Sequence, residues 1–330
     1  MILRRLTGNL SNRGKDRLKK RRAIIYRPAK GVGIGHFLYS LAGYGSLARE
    51  TAAEFYFTAN NTVFTKFLDE GEFISKYFDQ SAINSDRVHF GFGKISSRLR
   101  EAENLGEKIV VLGRKDRMER AASDFPSLRN SNILEASDFS NLNIQEIMNI
   151  DVLYVDSIVA PRAPIEEITD ITPLLSLSNN YLQTVYEAIG TDRYIGVHVR
   201  HGNGEDLDNR VAGGTSEFDS YMRRVANQVN RIAQENEISE KLVASDSKLA
   251  VEQLAELTGG RPIGVLNLPD RRFQDYLRSS RDVAESGVEK LMFDFAVLAG
   301  AQHIVSGSSF FPRAAALLSK NQKHLEVTND

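Results

Sequence analysis

The sequence predicts an α/β fold with parallel, doubly wound sheets, since short apolar segments alternate with longer amphipathic segments along the chain. Its 330 residues exceed the size of one typical hydrophobic core, which favours two domains. The composition, 42% hydrophobic and 26% charged, is ordinary for a folded soluble protein.

The first half opens as a β–α–β unit. In its helix, Phe37, Leu41 and Leu47 fall on or near one face, as in an amphipathic helix. Between residues 58 and 150 the pattern predicts no reliable order of elements apart from one strand. The predicted elements of this half are a strand at 23–27, a glycine-rich turn at 28–35, a helix at 36–53 and strands at 54–57, 108–114 and 151–157.

The second half alternates strand and helix more regularly. Three of the eight prolines lie between 158 and 173, which indicates an interdomain linker. We therefore divide the chain into a basic arm (1–22), a first α/β domain (23–172) and a second one (173–330) whose last helix could pack back on the first. The predicted elements of this half are helices at 177–190, 217–236, 247–258, 287–301 and 309–319, strands at 194–200, 241–246, 263–268 and 303–307, and a polar loop at 269–286.

Charge is spread unevenly. Residues 1–22 hold nine Lys or Arg and one acid, so this arm carries +8 and the rest of the chain −9. The arm is either a solvated terminus or a tether to an anionic membrane surface, and the acidic body argues against a nucleic-acid partner. The sequence has no cysteine, which excludes disulfides and thiolate metal sites. Because no segment is typical of a membrane helix or a secretory signal, we expect a cytoplasmic protein, with the arm available for peripheral membrane contact.

A glycine-rich turn joins the first strand to the first helix. Gly31 and Gly33 match the first two glycines of a dinucleotide-binding turn, but the third place is His36. A P-loop motif is absent as well. Gly33 and Gly35 would still let backbone N–H groups approach an anion at a helix N-terminus. The alternative is a tight turn without a ligand.

The strand at 194–200 ends in charged side chains. His198 and Arg200 share one face, and Arg200 closes the strand, where ligands of open α/β sheets bind. A guanidinium suits a phosphate or a carboxylate, although a structural salt-bridge loop is the alternative. The loop that follows supplies an imidazole, an amide and three carboxylates: His201, Asn203, Glu205, Asp206 and Asp208.

Polar groups mark three further places. Asp246 lies at the end of another strand, between two serines. Asp294 lies in a nearly continuous apolar helix, where a buried carboxylate needs donors such as Arg200, His198 or a ribose hydroxyl. Ser308 and Ser309 follow a strand and begin a helix, where they could cap the helix or donate to a phosphate.

Together these segments resemble the α1,6-fucosyltransferase family, in particular its bacterial NodZ-like branch of nodulation fucosyltransferases. The resemblance is carried by "IGVHVRHGNGED" (195–206), "KGVGIG" (30–35), "ASDS" (244–247) and the stretch from Asp294 to Arg313. It implies a GT-B-like architecture of two Rossmann-like domains with the donor site in the cleft. GDP-fucose would be held mainly by the C-terminal domain and the acceptor by the N-terminal one. It also implies an inverting, metal-independent reaction without a cofactor.

The resemblance assigns roles to individual residues. Arg200 would bind the β-phosphate, His198 and Asp294 would lie beside the nucleotide, and Asp246 would contact the donor. One of the carboxylates Glu205, Asp206 and Asp208 would be the catalytic base, in a loop that also holds His201 and Asn203. The remaining donor contacts would be Ser308 and Ser309 at the diphosphate, Gly33 and Gly35 in the N-terminal turn, and Tyr221 near the nucleotide.

The predicted function is therefore fucosyl transfer from GDP-fucose to a hydroxyl of a glycan, either an oligosaccharide containing N-acetylglucosamine or a surface polysaccharide. One alternative is a metal-dependent nucleotide-sugar transferase, since Asp206 and Asp208 form a D-x-D pair that could hold Mg²⁺ or Mn²⁺. A second alternative is a GDP-sugar-binding relative that has no turnover.

Overall fold

A computed structural model describes residues 21–65, 68–79, 83, 86–113, 115–134, 147–157, 175–200, 215–263, 281–319 and 323–328. The described strands form two larger sheets and one small antiparallel pair. Every pairing within the two larger sheets is parallel. Among the described residues, no helix combines the length and apolarity needed to cross a bilayer.

The first sheet has the strand order β4-β2-β1-β7-β5-β6, so the first strand lies near its centre. The elements of this part are β1 (Ala23–Pro28), α1 (Ile34–Glu50), β2 (Glu54–Phe57), α2 (Glu70–Tyr77), β3 (Phe78–Asp79), β4 (Val88–Phe90), α3 (Phe92–Asn104), β5 (Ile109–Gly113), α4 (Lys115–Asp124), β6 (Asn132–Leu134) and β7 (Val152–Ser157).

The second sheet has the strand order β11-β10-β9-β12-β13, which places β9 at its centre. The elements are β8 (Ser176–Leu177), α5 (Asn179–Ile189), β9 (Tyr194–Val199), α6 (Ser216–Glu235), β10 (Glu240–Ser245), α7 (Lys248–Thr258), β11 (Arg261–Pro262), α8 (Arg281–Gly300), β12 (His303–Gly307), α9 (Phe310–Leu318) and β13 (His324–Val327). The small pair joins β3 to β8.

Both large sheets are covered on two faces, as the apolar strands require. On the outer face of the first sheet, side chains of β1 and β7 pack with those of α3, such as Leu99. On the outer face of the second sheet, α6 and α7 bury residues such as Val225 and Leu254. The largest core lies between the sheets and joins α1 of the first part to α8 and α9 of the second, with Phe37 and Phe295 as members.

Several predicted boundaries shift. The first helix begins at Ile34 rather than residue 36, because Gly33 is extended (φ −77°, ψ 166°) and is the N-cap. It ends at Glu50 rather than 53, since Ala52 has a φ of 51° and breaks the helical pattern. Most of the strand predicted at 263–268 lies outside the described residues, whereas β11 at Arg261–Pro262 was not predicted.

The polar loop predicted at 269–286 is wrong in its last part, because α8 already begins at Arg281. Polar composition misled the prediction: "RDVAES" (281–286) forms the start of a long helix that becomes apolar only later. The strand β13 was also missed. The linker at 158–173 and residues 1–20 of the basic arm lie outside the described residues.

Candidate active site

Three neighbouring strands bring the predicted donor residues together. In the parallel register, Val199 of β9 pairs with Ser245 of β10, and His198 pairs with Ser306 of β12. The next residues along these strands therefore meet at one edge of the sheet: Arg200, Asp246, Ser308 and Ser309. This is the carboxyl edge of a parallel sheet, where the polarity of the fold predicts a ligand site.

Arg200 and Asp246 form an ion pair across this edge. Arg200 Nε lies 3.6 Å from Asp246 Oδ2, and the two side chains are 37% and 22% exposed. Partly exposed pairs of this kind contribute little to stability, so the pair chiefly orients the guanidinium. Ser245 holds the ends of β9 and β10 together, since its Oγ donates to Val199 O at 2.5 Å and accepts from Ser247 N at 3.1 Å.

The two serines after β12 differ in their contacts. Ser309 is the N-cap of α9, and its Oγ accepts from Phe311 N at 3.4 Å, so the capping role proposed for it is present. Ser308 is exposed, and its Oγ accepts from Arg313 Nη2 at 3.3 Å. The exposed serine and the first turn of α9 together offer donors to an anion.

The glycine-rich turn contacts the serine turn, the segment Ser308–Ser309, from the opposite side. An added Cβ on Gly35 would lie 2.6 Å from Phe311 N, so the first turns of α1 and α9 are in backbone contact. His36 extends that contact, because its ring centroid lies 4.1 Å from that of Phe310. The positive N-terminal ends of two helices thus converge beside Arg200 and Ser308.

This contact predicts a large loss of stability for one alanine substitution and almost none for another. Gly35→Ala should lower the free energy of unfolding by about 3 kcal/mol, because the obstacle is backbone that cannot yield cheaply. Gly33→Ala is the matched control: it has no heavy atom within 4 Å of an added Cβ, and its φ of −77° suits alanine. Its change should stay below about 0.5 kcal/mol in chemical denaturation. Equal losses for the two variants would contradict the close approach.

His198 is buried below the serine turn. It is 6% exposed, its Nδ1 has no hydrogen-bond partner among the described residues, and its ring centroid lies 5.1 Å from that of Phe311. Burial lowers the pKa of His198 to about 4, and the negative charge of Asp246 opposes that shift. The imidazole is therefore neutral at physiological pH, with one nitrogen still to be satisfied by a ligand or water.

Asp294 is a second buried side chain with a polar atom that lacks a hydrogen-bond partner. It is 5% exposed, and Oδ1 has no partner among the described residues, so the partners expected from the sequence, Arg200 and His198, do not satisfy this oxygen. Burial raises the pKa of Asp294 to about 7. Its chain neighbour Phe295 packs edge-on against Phe311, with ring centroids 5.3 Å apart. A buried carboxyl of this kind is a marker of a binding site.

Tyr221 supports the serine turn from α6. Its hydroxyl donates to Val327 O at 3.4 Å, and it occupies the space that a Cβ on Gly307 would need, at 2.1 Å. Burial raises the pKa of Tyr221 to about 12, so the hydroxyl keeps its proton. The structure therefore places Tyr221 beneath the strand end that leads into Ser308.

The loop residues His201, Asn203, Glu205, Asp206 and Asp208 lie outside the described residues. The choice of base among the three carboxylates remains a prediction, and the metal site at Asp206 and Asp208 remains the alternative to a metal-independent reaction. Within the described ranges, no three His, Asp or Glu side chains cluster in a way that could hold a metal ion.

Sequence reasoning missed three side chains at this edge. His36 was considered only as a mismatch to a glycine motif, yet burial and then the charge of Arg200 lower the pKa of His36 to about 4. Arg313 and Glu326 form a bidentate ion pair beside Ser308. The position of Arg313, one turn after the capping Ser309, was the available signal for it.

No protein-family model matches the sequence, and no curated protein matches it. Solved structures match by fold. The selenomethionine form of fucosyltransferase NodZ from Bradyrhizobium superposes with a TM-score of 0.51 at 15% identity, covering 91% of this chain and 92% of NodZ. NodZ α-1,6-fucosyltransferase soaked with GDP-fucose gives 0.50 at 15% identity, over 91% and 93% of the two chains.

POFUT1 in complex with GDP-fucose gives a TM-score of 0.51 at 9% identity, over 94% of this chain and 98% of POFUT1. Identities this low establish shared architecture alone. The predicted fold class is confirmed: the chain is an α/β protein with the GT-B-like fold of these fucosyltransferases.

Proposed function

We propose that this chain is an inverting fucosyltransferase that moves L-fucose from GDP-fucose to a hydroxyl of a glycan acceptor. The observation that carries the proposal is the convergence of Arg200, Asp246 and Ser308 at one sheet edge, facing the first turns of α1 and α9. The fold shared with fucosyltransferase structures supports it.

The diphosphate of the donor would lie at this edge. Arg200 supplies a permanent positive charge already oriented by Asp246 at 3.6 Å. Ser308 supplies an exposed hydroxyl, and the two helix N-termini supply backbone N–H groups and the positive ends of their dipoles. These groups need no reorganisation at the moment of reaction, which is the condition for strong electrostatic catalysis.

The nucleoside would extend toward the buried groups on β9 and α8. A guanine base offers N–H donors on one edge, and these fit the unpaired Oδ1 of Asp294. His198 has one ring nitrogen left to pair. Two buried polar atoms without partners are costly in the free protein, so a ligand that satisfies both would bind with selectivity.

In the proposed reaction, an acceptor oxygen attacks C1 of fucose while the bond from C1 to the β-phosphate oxygen breaks. The electron pair of that bond leaves with GDP, where Arg200 and the helix ends balance the new negative charge. The proton of the acceptor hydroxyl passes to a carboxylate, for which Glu205, Asp206 and Asp208 are the candidates. The chain's own cations replace the charge that a metal would provide.

The acceptor and its location stay at the level of the sequence prediction. An N-acetylglucosamine-containing oligosaccharide or a surface polysaccharide would enter from the side of the first sheet. An anionic membrane surface is a partner for the basic arm, which includes Arg21 and Arg22 next to the folded body. Liposome co-sedimentation of the full chain and of a chain lacking residues 1–22 tests this contact.

Calorimetric titration of the full chain with GDP-fucose in the presence of EDTA tests the proposed donor. We expect saturable binding of GDP-fucose and GDP, and weak or no binding of UDP-N-acetylglucosamine and NAD. Release of GDP on addition of a chitin oligosaccharide or a polysaccharide acceptor would then report transfer.

Two outcomes would redirect the proposal. Binding that requires Mg²⁺ or Mn²⁺ would favour the metal-dependent alternative built on Asp206 and Asp208. Binding of GDP-fucose without transfer to any glycan or to water would favour a relative that binds the donor and has no turnover. Absence of binding to every GDP-sugar would refute the assignment.

A further inference from the structure

A chain of polar contacts runs from the last described strand to the exposed serine of the donor site. Glu326 on β13 accepts from Arg313 on α9 through two bonds, Nε to Oε2 and Nη2 to Oε1, both 2.7 Å long. The same Nη2 donates to Ser308 Oγ at 3.3 Å. Ser308, Arg313 and Glu326 are thus joined in one hydrogen-bonded series.

The fold places this series by simple geometry. Ser306 of β12 pairs with Glu326 of β13, so Glu326 lies beside the end of the strand that leads into Ser308. Arg313 lies in the first turns of α9, and helical side chains lean toward the N-terminus of their helix. Its guanidinium therefore reaches back over Phe310, 5.8 Å from the ring centroid, to the serine turn.

The pair is charged at physiological pH. Burial opposes ionisation of Glu326, but the hydrogen bonds and the charge of Arg313 outweigh it and hold the pKa of Glu326 below its usual range. A two-pronged contact fixes the plane of the guanidinium, which a single contact does not. The side chains are 28% and 21% exposed, so the pair is partly buried.

The chemical consequence concerns the serine. A guanidinium can only donate, so Ser308 Oγ must be the acceptor of the bond from Arg313. The hydroxyl hydrogen can rotate about its bond, toward Glu326 in the free protein or toward a more negative oxygen that enters the cleft. The oxygen atom itself stays fixed in either case.

We propose that Arg313 is a positioning residue of the donor site: held by Glu326, it fixes Ser308 so that its hydroxyl donates to the diphosphate. The last strand, β13, is then part of the donor site rather than only the edge of the sheet. This inference rests on the proposed function and deepens it at the diphosphate.

A double-mutant cycle on GDP affinity tests the inference, measured by calorimetry on the full chain. Arg313→Gln and Ser308→Ala should each weaken GDP binding about tenfold, the effect of losing one charge-assisted hydrogen bond. If Arg313 acts through Ser308, the double variant should be little weaker than Ser308→Ala alone. Affinity for guanosine, which lacks phosphate, should change less than about twofold by ligand-observed NMR.

Two further variants keep the test decisive. Glu326→Gln removes the charge that holds Arg313. It should weaken GDP binding when Ser308 is present but not in the Ser308→Ala variant. Arg261→Gln is the matched control, because it breaks the ion pair of Arg261 with Glu240, which is 3.1 Å long. Arg261 lies on β11, the edge strand opposite β13. This variant should leave GDP affinity unchanged.

The outcomes separate this inference from the proposed function. Additive effects of Arg313→Gln and Ser308→Ala, or equal losses of affinity for GDP and guanosine, would overturn the positioning role of Arg313. The proposed function would still hold as long as the wild type binds GDP. Failure of the wild type itself to bind GDP would overturn both.

Discussion

Replacing Arg200 by alanine is expected to lower kcat/KM for GDP-fucose about a thousandfold. The side chain would neutralise charge that develops on the departing diphosphate, and removal of one such group costs about 3 to 4 kcal/mol in comparable sites. GDP affinity should fall by a smaller factor, since the charge on the leaving group is greatest in the transition state. Steady-state kinetics and calorimetry on the same preparation measure the two effects.

The matched control for this substitution is Arg193→Ala, at the opposite end of the same strand. Arg193 precedes β9, is exposed and donates to Asn236 O at 3.2 Å, away from the carboxyl edge of the sheet. It should leave kcat/KM within about twofold of wild type. Full activity of Arg200→Ala would show that Arg200 does not stabilise the departing diphosphate.

The second large effect is expected at Asp294, where function and stability should move in opposite directions. Asp294→Asn keeps the shape of the side chain but removes the carboxylate, so GDP binding should weaken by about tenfold to a hundredfold through lost charged hydrogen bonds. The same change should stabilise the free protein at neutral and higher pH. The reason is that burying a carboxylate with one unpaired oxygen, Oδ1, is costly.

The sign of the pH dependence follows from the pKa of Asp294, which burial raises to about 7. In the unfolded chain the carboxyl ionises near its ordinary value of about 4. Between those values the folded protein holds the extra proton, so wild-type stability falls as pH rises through about 7 and stays low above it. The advantage of Asp294→Asn should therefore be larger at pH 8 than at pH 5.

Thermal unfolding at these two pH values measures the difference, which is of the order of a few kcal/mol. Asp192→Asn is the control, because Asp192 is exposed in the same half of the chain. It should give a small change that does not grow between pH 5 and pH 8. A loss of stability in Asp294→Asn at pH 8 would show that the carboxylate is satisfied in the free protein.

Much of the second sheet was predictable because its strands are short, apolar and regularly spaced. The rule that parallel strands end at one edge then brought Arg200, Asp246 and Ser308 together without knowledge of any contact. The first sheet was less predictable beyond β2, where strands such as Val88–Phe90 and Asn132–Leu134 are three residues long and give no periodic signal.

The missed parts of the site share one physical cause. The contacts of His36 with Phe310 and of Arg313 with Glu326 join residues on different elements, and their sequence positions carry no spacing rule. The lack of a partner at Asp294 Oδ1 likewise depends on what surrounds it in three dimensions. Local patterns predict which residues reach an edge, whereas packing decides which of them touch.

A crystal structure of the full chain with GDP would test the central claim most directly. We predict that the diphosphate lies between Arg200 and Ser308 at the first turn of α9, with an N–H edge of guanine on Asp294. A nucleotide bound elsewhere, or bound at this edge with Asp294 still unpaired and Arg200 turned away, would contradict it.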